Sequence, residues 1–264
     1  MNTKSIVFAL LCLCNAKSSF SAPWQCNDFS ILPVHSFSVF RNPALPALER
    51  QPVAYISLKS LFALQALQHR RICVLWPLKQ NGLDVSYESL GNSIAESRSF
   101  GIGLSRRLNP TFSFGCKAIY EEFSIDAYGK SAAFGLNAGL SARISKQVST
   151  AFSVCGLFKP QSFAYFNGYS DPAFQWGFLY HAEQKMKVTA EIEKVRSQRS
   201  ELKFGLIYTY DSAFAFSAFL SKQFKEPGFG VHYHKKQLGM ALSCRIHVLL
   251  GISYQIILSY ALKS

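Results

Sequence analysis

Residues 132–144, with the sequence AAFGLNAGLSARI, alternate between two kinds of side chain. The even-numbered positions are apolar and include Phe134 and Leu136, whereas the odd-numbered positions are mostly small or polar and include Asn137 and Ser141. Successive side chains of a β-strand point to opposite faces, so this pattern predicts one long strand with a single large apolar face.

The same alternation recurs along the chain from Val53 to Leu262. Turn signals rich in Gly, Asn, Asp and Pro separate the alternating stretches, and such short connections favour antiparallel hairpins. We count about fourteen stretches of about nine to thirteen residues, the length that crosses a bilayer as a tilted strand. The predicted fold class is therefore all-β: a transmembrane antiparallel β-barrel with a short N-terminal segment before the first strand.

Residues 246–262 are apolar enough to suggest a membrane helix. Their polar residues Ser253, Gln255 and Ser259, however, recur at a period of two rather than at helical spacing. We therefore predict the closing strand of the barrel in this stretch.

The composition excludes several other classes of protein. Of the 264 residues, 49% are hydrophobic and only 16% are charged, which is too apolar for a disordered chain. The net charge of +13 comes from lysines and arginines that occur singly or in short pairs, whereas a nucleic-acid-binding face would need them clustered. The seven cysteines include no CxxC pair, which argues against a zinc site. We predict no nucleic-acid partner, no metal and no cofactor.

A soluble β-sandwich is the main alternative to a membrane barrel. Sandwich strands are usually shorter and carry a polar outer face, whereas here the second face is mostly Gly, Ala and Ser with sparse charges. This arrangement favours lipid-facing aromatic and aliphatic side chains outside and small or charged side chains in the lumen. Buried charges need partners, so we expect ion pairs inside the barrel. The predicted lumen-facing charges are Lys117, Arg143, Lys187, Glu191, Glu193, Lys203 and Arg245.

The N-terminus has the pattern of an export signal. Lys4 precedes the apolar run SIVFALLCLC of residues 5–14, which is too short to span a bilayer as a helix, and small residues follow it. We predict a signal peptide over residues 1–21, a periplasmic or plug segment over residues 22–52 and an outer-membrane barrel over residues 53–264. The predicted localisation is the outer membrane of a Gram-negative bacterium.

Three stretches together resemble the FadL-like outer-membrane barrels and, more closely, the PorV/PorQ-like proteins of the Bacteroidetes lineage. Residues 38–48, SVFRNPALPAL, are similar to the F-x-N-P-A-G element that precedes the first strand of that family, although Leu45 replaces the glycine. Residues 104–140 and 251–260 resemble an early strand run and the closing strand. The resemblance implies a fourteen-stranded barrel whose members carry hydrophobic compounds across the outer membrane or serve type IX secretion.

The chain contains no G-x-S-x-G elbow and no Walker loop, so we predict that it is not an enzyme. The predicted function is passive transport of small hydrophobic molecules; the alternative is a non-transporting structural or type IX secretion-accessory barrel. The inferred small and charged lumen favours neither strongly. The expected partners are outer-membrane lipid and lipopolysaccharide, with small hydrophobic ligands or secretion-system proteins as further candidates.

The segment before the barrel has two interpretations. Pro43 and Pro46 exclude it from a helix interior or a central strand, so it is either a flexible periplasmic leader or a plug. The resemblance implies the plug, with Asn42 hydrogen-bonded to the wall and Arg41 paired to Glu191 or Glu193. The candidate plug or gating residues are Phe40, Arg41, Asn42 and Pro43.

Overall fold

Fourteen antiparallel strands form one closed barrel in the computed structural model of the chain. The described residues are 32, 38, 41–126, 128–157, 172–196, 199–221 and 226–262, without the side chain of Gln65. The predicted signal peptide and Phe40 lie outside them. The strands are β1 (Val53–Ser60), β2 (Gln68–Leu78), β3 (Asn81–Gly91), β4 (Ala95–Arg107), β5 (Phe112–Ile125), β6 (Gly129–Arg143), β7 (Val148–Leu157), β8 (Ala173–His181), β9 (Met186–Val195), β10 (Glu201–Thr209), β11 (Phe214–Ser221), β12 (Glu226–Lys235), β13 (Leu238–His247) and β14 (Gly251–Ala261).

Each strand pairs with its neighbours in sequence, as the short turns predict. The barrel closes where β1 pairs with β14, in a register that runs from Val53 opposite Ala261 to Ser60 opposite Tyr254. Closure leaves no open sheet edge, so the strands satisfy one another's backbone groups without water. The predicted fold class, an antiparallel barrel of about fourteen strands, is confirmed.

No helix in the described part of the chain is long and apolar enough to cross a membrane.

The outer surface of the barrel is apolar. Phe134 is 68% exposed and Leu104 is 63% exposed, while their strand neighbours Ala133 and Gly103 are buried on the inside. Similar large apolar side chains are exposed on most of the other strands. An apolar surface of this extent is stable against lipid and not against water. With an even number of antiparallel strands, it is the surface of a Gram-negative outer-membrane barrel.

The two ends of the barrel differ in the lengths of their connections. At the end that holds both chain termini, residues 79–80 connect β2 to β3 and residues 236–237 connect β12 to β13. At the opposite end, residues 158–172 separate β7 from β8. Outer-membrane barrels have short periplasmic turns and longer extracellular loops, so the termini mark the periplasmic end.

Candidate functional site

Residues 41–47, here called the luminal segment, lie inside the barrel. Asn42 and Ala44 are fully buried, and Arg41 is 5% exposed. The segment forms no strand and leads into a short 3₁₀ turn over Leu45–Leu48. Its prolines account for this irregular path, because Pro43 and Pro46 cannot donate backbone hydrogen bonds to a strand.

The inner wall presents a groove of small residues to the luminal segment. The groove follows one row of register-paired positions across β3 to β7, so each of its residues lies beside the next. The five residues of this groove are Gly82, Ser105, Gly115, Gly139 and Ser153.

The glycines of the groove are required by the close approach of the segment. A side chain at Gly82 would collide with the backbone of Pro46, and one at Gly115 would collide with the backbone of Pro43. At Gly139, a side chain would meet the amide group of Asn42. The wall and the segment are therefore complementary in shape along the whole groove.

Asn42 fixes the middle of the segment to the wall. Its Nδ2 donates a hydrogen bond to the carbonyl oxygen of Leu140 on β6, at 3.1 Å. Its Oδ1 accepts a hydrogen bond from the backbone N–H of Ala44, at 3.0 Å. The Asn42 side chain thus connects the barrel wall to the turn of the luminal segment. Nearer the periplasmic end, Arg107 Nη2 donates to the carbonyl oxygen of Ala47, at 3.4 Å.

Arg41 anchors the other end of the segment through its charge. Its Nη2 lies 2.9 Å from Glu193 Oε2, and its Nη1 lies 4.0 Å from Glu191 Oε2. The two carboxylates are two residues apart on β9 and therefore share the inner face. Lys203 Nζ on β10 also donates a hydrogen bond to Glu193, and Ser153 Oγ donates to the carbonyl oxygen of Arg41, at 3.0 Å.

The guanidinium of Arg41 remains charged in this buried position. Burial by itself would lower the pKa of Arg41, but the charges of Glu193 and Glu191 outweigh burial and raise the pKa. Removal of one partner from a buried ion pair is strongly destabilising.

The other predicted charges lie apart from the luminal segment. Lys117 on β5 bonds to Asp84 on β3, with 2.6 Å between Nζ and Oδ2. This pair crosses over β4, where Gly101 and Gly103 leave the room that it needs. Arg245 Nη1 lies 3.6 Å from Glu226 Oε2. Of the remaining two, Lys187 is half-buried near the start of β9, and Arg143 is exposed at the periplasmic end of β6.

Sequence reasoning missed a second buried charge cluster near the extracellular end of β2 and β3. Arg71 Nη2 lies 2.7 Å from Glu88 Oε2, and His69 Nε2 lies 3.3 Å from the same oxygen. The signal was the placement of His69 and Arg71 two residues apart on β2, and of Asp84, Ser86 and Glu88 at alternate positions on β3. Which of them would meet depends on strand register, which the alternation does not specify.

The inner wall also contains large apolar side chains, which corrects the expectation of a small and charged lumen. Tyr55, Leu75 and Ile257 are at most 1% exposed and form one cluster with Leu45 of the luminal segment. A second cluster surrounds Leu32. Its wall residues are Ala151, Leu179 and Ile207. Among the described residues, the lumen is therefore polar with two apolar patches, and residues of the N-terminal segment contact both.

No family model and no curated protein matches the sequence. Among solved structures, a FadL homologue from Pseudomonas aeruginosa has a TM-score of 0.63 at 10% identity, covering 88% of this chain and 95% of that chain. The toluene transporter TodX of Pseudomonas putida has a TM-score of 0.62 at 8% identity, covering 86% and 93%. The monoaromatic hydrocarbon channel CymD has a TM-score of 0.58 at 10% identity, covering 88% and 94%. The chain therefore has the FadL-like barrel fold.

Proposed function

We propose that this chain is an outer-membrane channel for the passive transport of small hydrophobic molecules, closed by its luminal segment. The observation that carries the proposal is the pair of apolar patches on an otherwise polar inner wall. Tyr55, Leu75 and Ile257 would offer an apolar solute a favourable surface that a general aqueous pore does not need. Leu45 covers this surface, so the segment would have to move before a solute could use it.

The similar structures support the same solute class. Two of them are described as a toluene transporter and a monoaromatic hydrocarbon channel, and both share the barrel topology of this chain. The alternative, a structural or type IX secretion-accessory barrel, has no support from the described contacts or from these structures. We also propose that outer-membrane lipid and lipopolysaccharide surround the exposed apolar belt.

Uptake of radiolabelled toluene by a Gram-negative host that lacks its own hydrocarbon channels tests the solute class. We expect faster uptake with the protein than with an empty vector. The variant Ile257→Asn places a polar group in the apolar patch and should reduce this uptake. The matched control is Ser243→Asn, a position on β13 that lies beside Gly230 and Gln255 and belongs to neither apolar cluster. Uptake at the level of the empty vector, from a correctly folded barrel, would contradict the proposal.

Single-channel conductance in planar bilayers tests the closing role. Deletion of residues 22–50 removes the segment but leaves every strand intact. We expect higher ionic conductance from the deleted form. If a folded barrel showed unchanged conductance, the segment would be a leader rather than a plug.

A further inference from the structure

The anchoring point of Arg41 has one hydrogen-bond acceptor that neither the described wall nor Arg41 satisfies. Gln175 on β8 is 3% exposed and faces the lumen between Ser153 and Glu193 in the strand register. Among the described residues, the buried Oε1 of Gln175 has no hydrogen-bond partner. Leaving a buried acceptor unsatisfied is costly, so this oxygen is suited to a further donor.

The described wall residues at this point include two carboxylates, Glu191 and Glu193, and the cation Lys203 on β10. A second cation, Arg41, belongs to the luminal segment and not to a strand. The wall therefore forms an anionic, acceptor-rich site whose occupant is brought in from outside the sheet.

The shape of the site matches a guanidinium group better than an ammonium group. The two terminal nitrogens of Arg41 face different carboxylates, so the cation bridges Glu191 and Glu193. A planar guanidinium has several donors in a fixed fork, whereas an ammonium is a compact point charge. Gly177 lies in register beside Glu191, and a side chain there would collide with Glu191 Cγ, so this glycine leaves the carboxylate room to reach Arg41.

We propose that Glu191 and Glu193 form a binding site for guanidinium compounds, with Arg41 as its resident occupant and Gln175 Oε1 as a further acceptor that Arg41 does not use. A solute that carries a guanidinium group on a short apolar body competes with Arg41 and releases the luminal segment. The binding step stands on the contacts alone, whereas the release step rests on the proposed function, in which the segment closes the channel.

Chemical rescue tests the binding step in the purified full-length protein. The variant Arg41→Ala should unfold at a lower temperature than the wild type, because Glu193 loses a buried ion-pair partner. We expect ethylguanidinium at millimolar concentration to raise the unfolding temperature of this variant by several degrees. Ethylurea, a neutral compound of similar shape, should have no effect. In the double variant Arg41→Ala, Glu193→Gln, ethylguanidinium should bind roughly tenfold more weakly.

Two results would overturn the binding step. One is an absence of rescue in Arg41→Ala while the barrel remains folded. The other is an equal effect of ethylguanidinium on the double variant, which would mean that the compound acts on the whole protein. If Arg41→Ala does not fold, Arg41→Gln keeps a side chain of similar bulk without the charge and takes its place in the same comparison.

Conductance of the wild-type channel tests the release step. We expect a saturable rise in conductance with ethylguanidinium, no rise with ethylurea, and no rise in the form that lacks residues 22–50. Rescue of Arg41→Ala without any rise in wild-type conductance would overturn release and leave binding intact. A saturable rise in a channel that fails to transport toluene would overturn the proposed solute class and leave the guanidinium site supported.

Discussion

At the scale of single residues, the groove under the luminal segment depends on the absence of side chains. Gly139 lies directly beneath Asn42 and Pro43, so any larger residue at this position competes with the segment for the same volume. Gly205, by contrast, lies beside the hydroxyl group of Thr189, which can rotate away. The two glycines are on the same inner wall but differ in what they accommodate.

This difference gives a test by cysteine labelling. In a background with Ala44→Cys, residue 44 should be protected from a hydrophilic maleimide because Ala44 is fully buried. We expect Gly139→Ala to increase the labelling rate at residue 44, since the added methyl group displaces the segment. Gly205→Ala is the matched control and should leave the rate unchanged. Equal rates in both variants would show that the groove does not hold the segment.

Glu49, just beyond the luminal segment, gives a test by pH. Burial raises the pKa of Glu49 to about 7. Because the folded pKa lies above the unfolded value, the carboxyl group disfavours folding progressively as the pH rises from about 4.5 to about 7. We expect Glu49→Gln to stabilise the protein at pH 8 by roughly 2 kcal/mol and to have little effect at pH 4. Urea unfolding at pH 4 and at pH 8 checks this. An equal gain in stability at both pH values would mean that the charge of Glu49 is not the cause.

At the scale of strands, the alternation of side chains along the sequence predicted a strand wherever one of its faces is apolar and the other carries small residues. It could not assign the faces of β1, whose sequence VAYISLKS starts with four apolar residues in succession. Tyr55 and Ile56 are both large β formers, yet Tyr55 is fully buried in the lumen and Ile56 is 48% exposed to lipid. Pairing with β2 and β14 determines which face of β1 points into the lumen. This pairing cannot be read from the sequence of β1 alone.

Strand boundaries also escaped the pattern where a turn is itself apolar. The single closing strand predicted over residues 246–262 is divided, because β13 ends at His247 and β14 begins at Gly251. His247 Nδ1 accepts hydrogen bonds from the backbone N–H groups of Leu249 and Leu250. The His247 side chain therefore stabilises a turn that a hydropathy pattern cannot reveal. Gly251 ends this turn with a φ of 90°.

The two faces of β6 give a test of strand orientation. Leu136 belongs to the outward set near the middle of the strand, where an arginine in lipid costs roughly 2–4 kcal/mol. Asn137 faces the lumen and accepts a hydrogen bond from the backbone N–H of Gly156, so its replacement costs only about 1 kcal/mol. We expect Leu136→Arg to lower stability more than Asn137→Arg in urea titrations in lipid vesicles. Equal or reversed losses would mean that the faces are inverted.

At the scale of the whole molecule, the β1–β14 seam makes the sheet continuous. Eight register pairs close this seam, so no strand can be removed without opening an edge. We expect the unboiled protein to migrate differently from the boiled protein in a mild SDS gel, because the closed sheet resists the detergent. Deletion of residues 251–264 should abolish this difference, whereas deletion of residues 22–50 should preserve it. Identical migration of boiled and unboiled full-length protein would contradict closure.

The groove has a consequence for the order of events during biogenesis. The luminal segment is the part of the chain that leads into β1, and its contacts with the groove and with Glu193 extend over β3 to β9. This binding surface exists only after those strands have paired. We therefore expect the luminal segment to dock late in the assembly of the barrel rather than to guide its first strand pairings.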